Sequence, residues 1–151
     1  MRMNPTRSWS RRLAAAALAI TAIAASAGVS ACSSSEPTSS SASPATGQHM
    51  AASDFATAMK APGTIVLDVR TPAEYSSGHL PSAQNIDIEG SGFAAGIAAL
   101  DKNGTYAVYC RSGNRSGTAL EQMSAAGFTH VYDLAGGMGA WQNMGGPMSM
   151  N

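Results

Sequence analysis

One segment concentrates the reactive chemistry of this 151-residue chain: Cys110-Arg111-Ser112-Gly113-Asn114-Arg115-Ser116. It lies between a strand-like apolar run and a helix-like run, so a thiol is placed at the mouth of a helix. Backbone N–H groups converge there, and the helix dipole adds to their pull on an anion. Arg111 and Arg115 add two permanent positive charges within the same loop. Each effect favours thiolate over thiol, and the thiolate is the nucleophile. A free cysteine is ordinarily an inert buried hydrophobe; two arginines and a glycine in the residues that follow argue against that fate. A disulfide with Cys32, the other cysteine of the chain, is a competing reading, because export favours pairing.

Other candidates read as support. Asp68 ends a second apolar run, and with Arg70 it is expected to hold the loop through hydrogen bonds and an ion pair with Glu74. His79 could act as a base, but attack by a preformed thiolate needs none, so it reads as a structural histidine. Ser112 and Asn114 can offer side-chain hydrogen bonds, with their backbone amides mattering more. The two cysteines and three histidines lie too far apart for a zinc pattern, and no Walker-type loop is present, so neither metal nor cofactor is expected. The thioethers of Met144, Met148 and Met150 suit Cu(I). With no histidine or cysteine beside them, residues 147–151 are expected to be a flexible tail.

The elements that position these groups alternate in type. Helices are expected over 53–61, 72–77, 93–100, 117–126 and 138–144, and strands over 64–69, 84–88, 105–109 and 130–134. Thr64-Ile65-Val66-Leu67-Asp68-Val69 is nearly continuous in apolar residues, as suits a strand covered on both faces. The rhythm predicts a single α/β domain over 49–146, a parallel sheet of about five strands with helices on both faces. Ligand chemistry in such sheets sits at the carboxyl ends of the strands, where Asp68 and Cys110 fall.

Four separate stretches, in order, resemble the rhodanese (thiosulfate sulfurtransferase) family. They are Asp68-Val69-Arg70-Thr71-Pro72-Ala73-Glu74-Tyr75, Gly78-His79-Leu80-Pro81-Ser82-Ala83-Gln84-Asn85, the Cys110 loop, and Leu134-Ala135-Gly136-Gly137-Met138-Gly139-Ala140-Trp141. The resemblance spans roughly residues 50–146 and implies a persulfide on Cys110. A thiosulfate-like donor would supply the sulfur, and a thiophilic acceptor such as cyanide or a thiol would remove it. It also implies that the amides of residues 111–116 cradle the persulfide while Arg111 and Arg115 bind the donor sulfonate. Pairing the charge of sulfite makes it a better leaving group. Related folds that act on phosphate or arsenate separate cysteine and arginine by five residues; here the arginine follows after four, which disfavours a phosphatase or arsenate reductase. The arginines also disfavour a mercaptopyruvate-type site, which in the family prefers small neutral loop residues. A sulfane-sulfur carrier or interaction module with little turnover is the alternative.

Charge divides the chain. Residues 1–31 hold four arginines and no acid, leaving five basic residues against nine acidic ones, a net of −4. Five scattered cations on an acidic chain make no basic stripe, which excludes nucleic-acid binding. About a hundred residues remain for folding once the N-terminal segments are set aside, enough for one core. Residues 1–31 have a basic start and a charge-free run from Leu13 to Ala31, and are expected to be a secretory signal peptide. Val29-Ser30-Ala31-Cys32 resembles the lipobox of bacterial lipoproteins, implying lipidation of Cys32, export and anchoring to a membrane of the cell envelope. Arg11-Arg12 leaves both the general and the twin-arginine routes open. Residues 32–48, rich in serine and proline, are expected to be a flexible tether.

Overall fold

Residues 46–150 are described by a computed structural model. Their elements are β1 (Gln48–Met50), α1 (Ala52–Ala58), β2 (Thr64–Asp68), α2 (Pro72–Ser76), β3 (Gln84–Asn85), α3 (Phe93–Ala98), β4 (Thr105–Tyr109), α4 (Asn114–Ala125), β5 (His130–Leu134) and α5 (Gly137–Asn143). The five strands form one parallel sheet in the order β1-β5-β4-β2-β3. The runs in β2, β4 and β5 are apolar on successive residues because both faces of the sheet are covered.

Alternation along β4 sends Tyr106 and Val108, and Cys110 after them, to one face. There they pack with Phe93 and Ile97 of α3 and with Ala119, Leu120 and Met123 of α4. Ala107 and Tyr109 go to the other face, against Phe55 of α1 and Met138 and Trp141 of α5. Burying each large apolar side chain stabilises the fold by about 1.5–3 kcal/mol. The strand that carries Cys110 is therefore central and clamped from both sides.

Three expectations about boundaries are corrected. Residues 48–50 are part of the sheet: Gln48, His49 and Met50 pair with Tyr132, Asp133 and Leu134, and the Gly47 amide donates to the Val131 carbonyl at 3.0 Å. The tether expected over 32–48 thus yields its last residues to the domain, through an edge strand with two exposed residues and no apolar signature. The strand expected over 84–88 pairs only at Gln84 and Asn85. Residues 147–150 are docked, against the expectation of a loose tail. Ser149 exchanges two backbone hydrogen bonds with His79, at 2.8 and 3.0 Å, and the buried Trp141 indole Nε1–H donates to the Pro147 carbonyl at 2.9 Å. A buried indole donor needs a partner, and the returning chain supplies it. The expected signal peptide, Cys32 and most of the expected tether lie outside the described residues. Among the described residues, no helix is long and apolar enough to cross a membrane.

Candidate active site

Cys110 follows the last residue of β4, and its side chain is completely buried. The chain leaves the strand through Arg111 and Ser112, and Gly113 turns it into α4 with φ of +98°, a left-handed conformation that glycine adopts without strain. The Gly113 amide donates to Cys110 Sγ at 3.1 Å. α4 begins at Asn114, three residues before the expected start, so Asn114, Arg115 and Ser116 form its first turn and their amides have no acceptor within the helix.

The orientation of the loop comes from α5. The Met138 amide donates to the Cys110 carbonyl at 2.9 Å, and the Gly139 amide to the Arg111 carbonyl at 3.4 Å. In a trans peptide the N–H points opposite to the C=O. With both carbonyls turned toward α5, the amides of Arg111 and Ser112 face away from it. Close approach of α5 requires Gly137, whose φ is +54°; a Cβ there would lie 2.3 Å from the Cys110 carbonyl oxygen. The arrangement sets the Gly113 amide on the sulfur and leaves the amides of Arg111 and Ser112 turned away from α5 at the end of β4.

Two buried carboxylates brace this loop. Asp68 accepts from the Arg70 backbone amide and from Arg70 Nε, both at 2.9 Å, and Arg70 Nη2 also reaches the Gly78 carbonyl at 2.7 Å. Burial opposes the Arg70 charge, but Asp68 outweighs that cost and holds the guanidinium above its ordinary pKa. The Arg70 guanidinium lies over the Tyr109 ring at 5.6 Å, beside Cys110 in the chain. Burial, with Asp68 nearby, pushes the Tyr109 phenol up, so it stays neutral. Asp133 of β5 is fully buried. It accepts from Ser116 Oγ at 2.7 Å and contacts His49 Nδ1 of β1 at 2.6 Å, tying the first turn of α4 to two strands.

The ion pairs differ from those expected. Glu74 pairs with Arg115 rather than with Arg70. Arg115 Nη1 and Nη2 each lie 2.8 Å from a Glu74 oxygen, and Nη1 also lies 2.9 Å from Glu89 Oε2. The Arg115 bond holds the Glu74 carboxyl down at about 2, well below the usual carboxylate range. Glu74 also completes a capping box with Thr71 at the start of α2. Arg115, expected to be a free cation for a sulfonate, is thus engaged by two carboxylates. Arg111 is exposed and takes part in no ion pair among the described residues. His79 is buried and stacked on Tyr75, with ring centroids 4.0 Å apart. Ser112 and Asn114 are exposed at the rim. The structure therefore gathers the 110–116 loop, Asp68, Arg70 and Glu74 at the carboxyl end of the sheet. Sequence reasoning missed Glu89, Asp133 and His49. A strand-end acid on the neighbour of β4 was the available signal for Asp133.

Comparison with known proteins agrees with this geometry. The family model of the rhodanese-like domain matches residues 51–144. The thiosulfate sulfurtransferase PspE of Escherichia coli (strain K12) is 42% identical over 70 residues, 46% of this chain and 67% of the relative. The thiosulfate sulfurtransferase GlpE of Pseudomonas fluorescens (strain SBW25) is 34% identical over 89 residues, 59% of this chain and 80% of the relative. Among solved structures, a rhodanese-related protein from Thermoplasma volcanium superposes with a TM-score of 0.62 at 33% identity. It covers 69% of this chain and 99% of its own.

Two outcomes follow from the bracing. Gly137→Ala should cost about 2–4 kcal/mol, since both its φ and the Cys110 carbonyl exclude a Cβ. Chemical denaturation checks this, and an unchanged midpoint would contradict the contact. Because the folded pKa of Glu74 is depressed, its contribution is complete above pH 4.5 and is lost as pH falls toward about 2. Glu74→Gln, which keeps the capping acceptor, should lose about 1 kcal/mol at pH 7 and show a flatter stability profile between pH 5 and 3. A profile parallel to that of the wild type would refute the Arg115 pairing.

Proposed function

Because this chain belongs to the rhodanese-like domain family, we propose that it is a sulfurtransferase in which Cys110 carries the transferred sulfur as a persulfide. The observation that carries this reading is the Cys110 sulfur bonded by the Gly113 amide at 3.1 Å within a loop of outward-turned carbonyls. In the loading step the Cys110 thiolate attacks the outer sulfur of a donor such as thiosulfate. The new S–S bond forms on Cys110, the donor S–S bond breaks, and sulfite leaves with the bonding pair. An acceptor such as cyanide or a thiol then attacks the outer sulfur and restores the thiolate. Charge and atoms balance without an oxidant. The amides of residues 111–116 stabilise the negative charge on the persulfide, as fixed dipoles can where water is excluded. Cys110 has no accessible surface, so donor entry requires local opening of the loop, whose exposed residues Arg111, Ser112 and Asn114 frame it. Arg111, exposed and in no ion pair among the described residues, is the cation that meets an incoming anion.

The N-terminal segment supports a second part of the proposal. Residues 1–31 act as a lipoprotein signal peptide, and Cys32 becomes the lipidated residue that holds the domain at an envelope membrane. The basic start, the charge-free run and Val29-Ser30-Ala31-Cys32 support this.

Cys110→Ser should abolish steady-state transfer from thiosulfate to cyanide; full activity in that variant would remove Cys110 from the chemistry. Loading without steady turnover in the wild type would favour the carrier alternative. Arg111→Ala should raise the thiosulfate KM by roughly tenfold with kcat little changed, as loss of one charge-assisted contact predicts; an unchanged KM would remove Arg111 from donor binding. Cys32→Ala should move the protein from the membrane fraction to the soluble fraction, and retention on membranes would contradict lipid anchoring.

A further inference from the structure

We propose that Glu89 selects the donor by charge. Together with Glu74 it neutralises the Arg115 cation, so the site favours an organic persulfide with at most one negative charge on its sulfur chain over dianionic thiosulfate. This rests on the sulfurtransferase reading and names its substrate class. The geometry is a three-charge cluster: Arg115 Nη1 lies 2.8 Å from Glu74 Oε2 and 2.9 Å from Glu89 Oε2. One guanidinium between two carboxylates leaves a formal charge of −1. The remaining charges around the loop are Arg111, at +1, the buried Asp133 carboxylate bonded to Ser116, at −1, and the Asp68–Arg70 pair, which is neutral within itself. These side chains therefore sum to −1, where two free arginines would have made the sum +1.

The structural need for Glu89 is slight. Glu74 alone gives Arg115 a two-oxygen partner and completes the α2 capping box. The Glu89 side chain is 60% exposed, and among the described residues its carboxylate bonds only Arg115. A second carboxylate placed there contributes little to folding, while its charge is paired with an arginine of the loop that a donor must approach.

The two loading steps differ in what they ask of that charge. With thiosulfate, a thiolate meets a dianion, and three negative charges enter one site. The Cys110 thiolate and S–SO3 dianion become a Cys110 persulfide anion and sulfite dianion. With an organic persulfide R–S–SH, the thiolate attacks the terminal sulfur, the Cys110–S bond forms and the R–S bond to that sulfur breaks. R–S⁻ leaves with the electron pair, and one negative charge is conserved throughout. Like-charge contacts cost most where water is excluded, so a site with no net positive charge penalises thiosulfate and spares the persulfide.

The test compares thiosulfate and cysteine persulfide, generated in solution, as donors to the full chain and to Glu89→Gln. In the wild type, kcat/KM for cysteine persulfide should exceed that for thiosulfate by roughly tenfold. Glu89→Gln should close most of that gap by raising the thiosulfate value roughly tenfold, the effect of removing one unit charge several ångströms away. The variant should also lose thiosulfate activity more steeply with added salt. A donor ratio unchanged by the substitution, or thiosulfate preferred by the wild type, would overturn the role of Glu89 while leaving sulfur transfer standing. Failure of both donors to transfer sulfur would overturn the sulfurtransferase reading, and this inference with it.

Discussion

Two hydrogen bonds from the first turn of α5 decide how the reactive loop faces. By taking the carbonyls of Cys110 and Arg111, the amides of Met138 and Gly139 turn the intervening peptide planes. The direction of an amide is fixed once its carbonyl is held. Without that contact the end of β4 would be an ordinary loop, with its dipoles averaging over many directions. The approach that permits it depends in turn on Gly137, which has no Cβ to collide with the Cys110 carbonyl. Trp141, about one turn further along α5, anchors the helix in the core beside Phe55 and Met138.

Electrostatics around this loop is more balanced than a count of arginines suggests. The first turn of α4 carries Arg115 outward to Glu74 and Glu89, and Ser116 inward to Asp133. Both attachments position the helix mouth, and the two carboxylates on Arg115 offset its positive charge. In the proposed transfer, stabilisation of an anion there falls mainly to backbone dipoles, which are fixed by the fold and need no counter-charge, and Arg111 meets the incoming group.

Local pattern made much of this legible. The apolar runs of β2, β4 and β5 announce strands covered on both faces, and a thiol followed by small residues marks the turn into α4. What stayed hidden is non-local. Arg115 meets partners 41 and 26 residues away, and Ser116 one 17 residues away, separations at which composition and period say nothing about pairing. β1 is a three-residue edge strand with exposed polar positions, so it lacks any apolar signal. Gly145-Gly146-Pro147 reads as an ending because glycine and proline break elements. In the fold it is a turn that brings the chain back over Trp141, with Gly146 against the indole, where a Cβ would lie 2.3 Å from Cε2.

The central claim is that the amide-lined loop makes the Cys110 sulfur an acceptor of a second sulfur atom. The most direct measurement is peptide-resolved mass spectrometry of the protein after brief exposure to a sulfane-sulfur donor and removal of the excess. The peptide containing Cys110 should gain about 32 Da, one sulfur atom, and lose it again on treatment with cyanide. A Cys110 peptide that keeps its original mass under those conditions would contradict it.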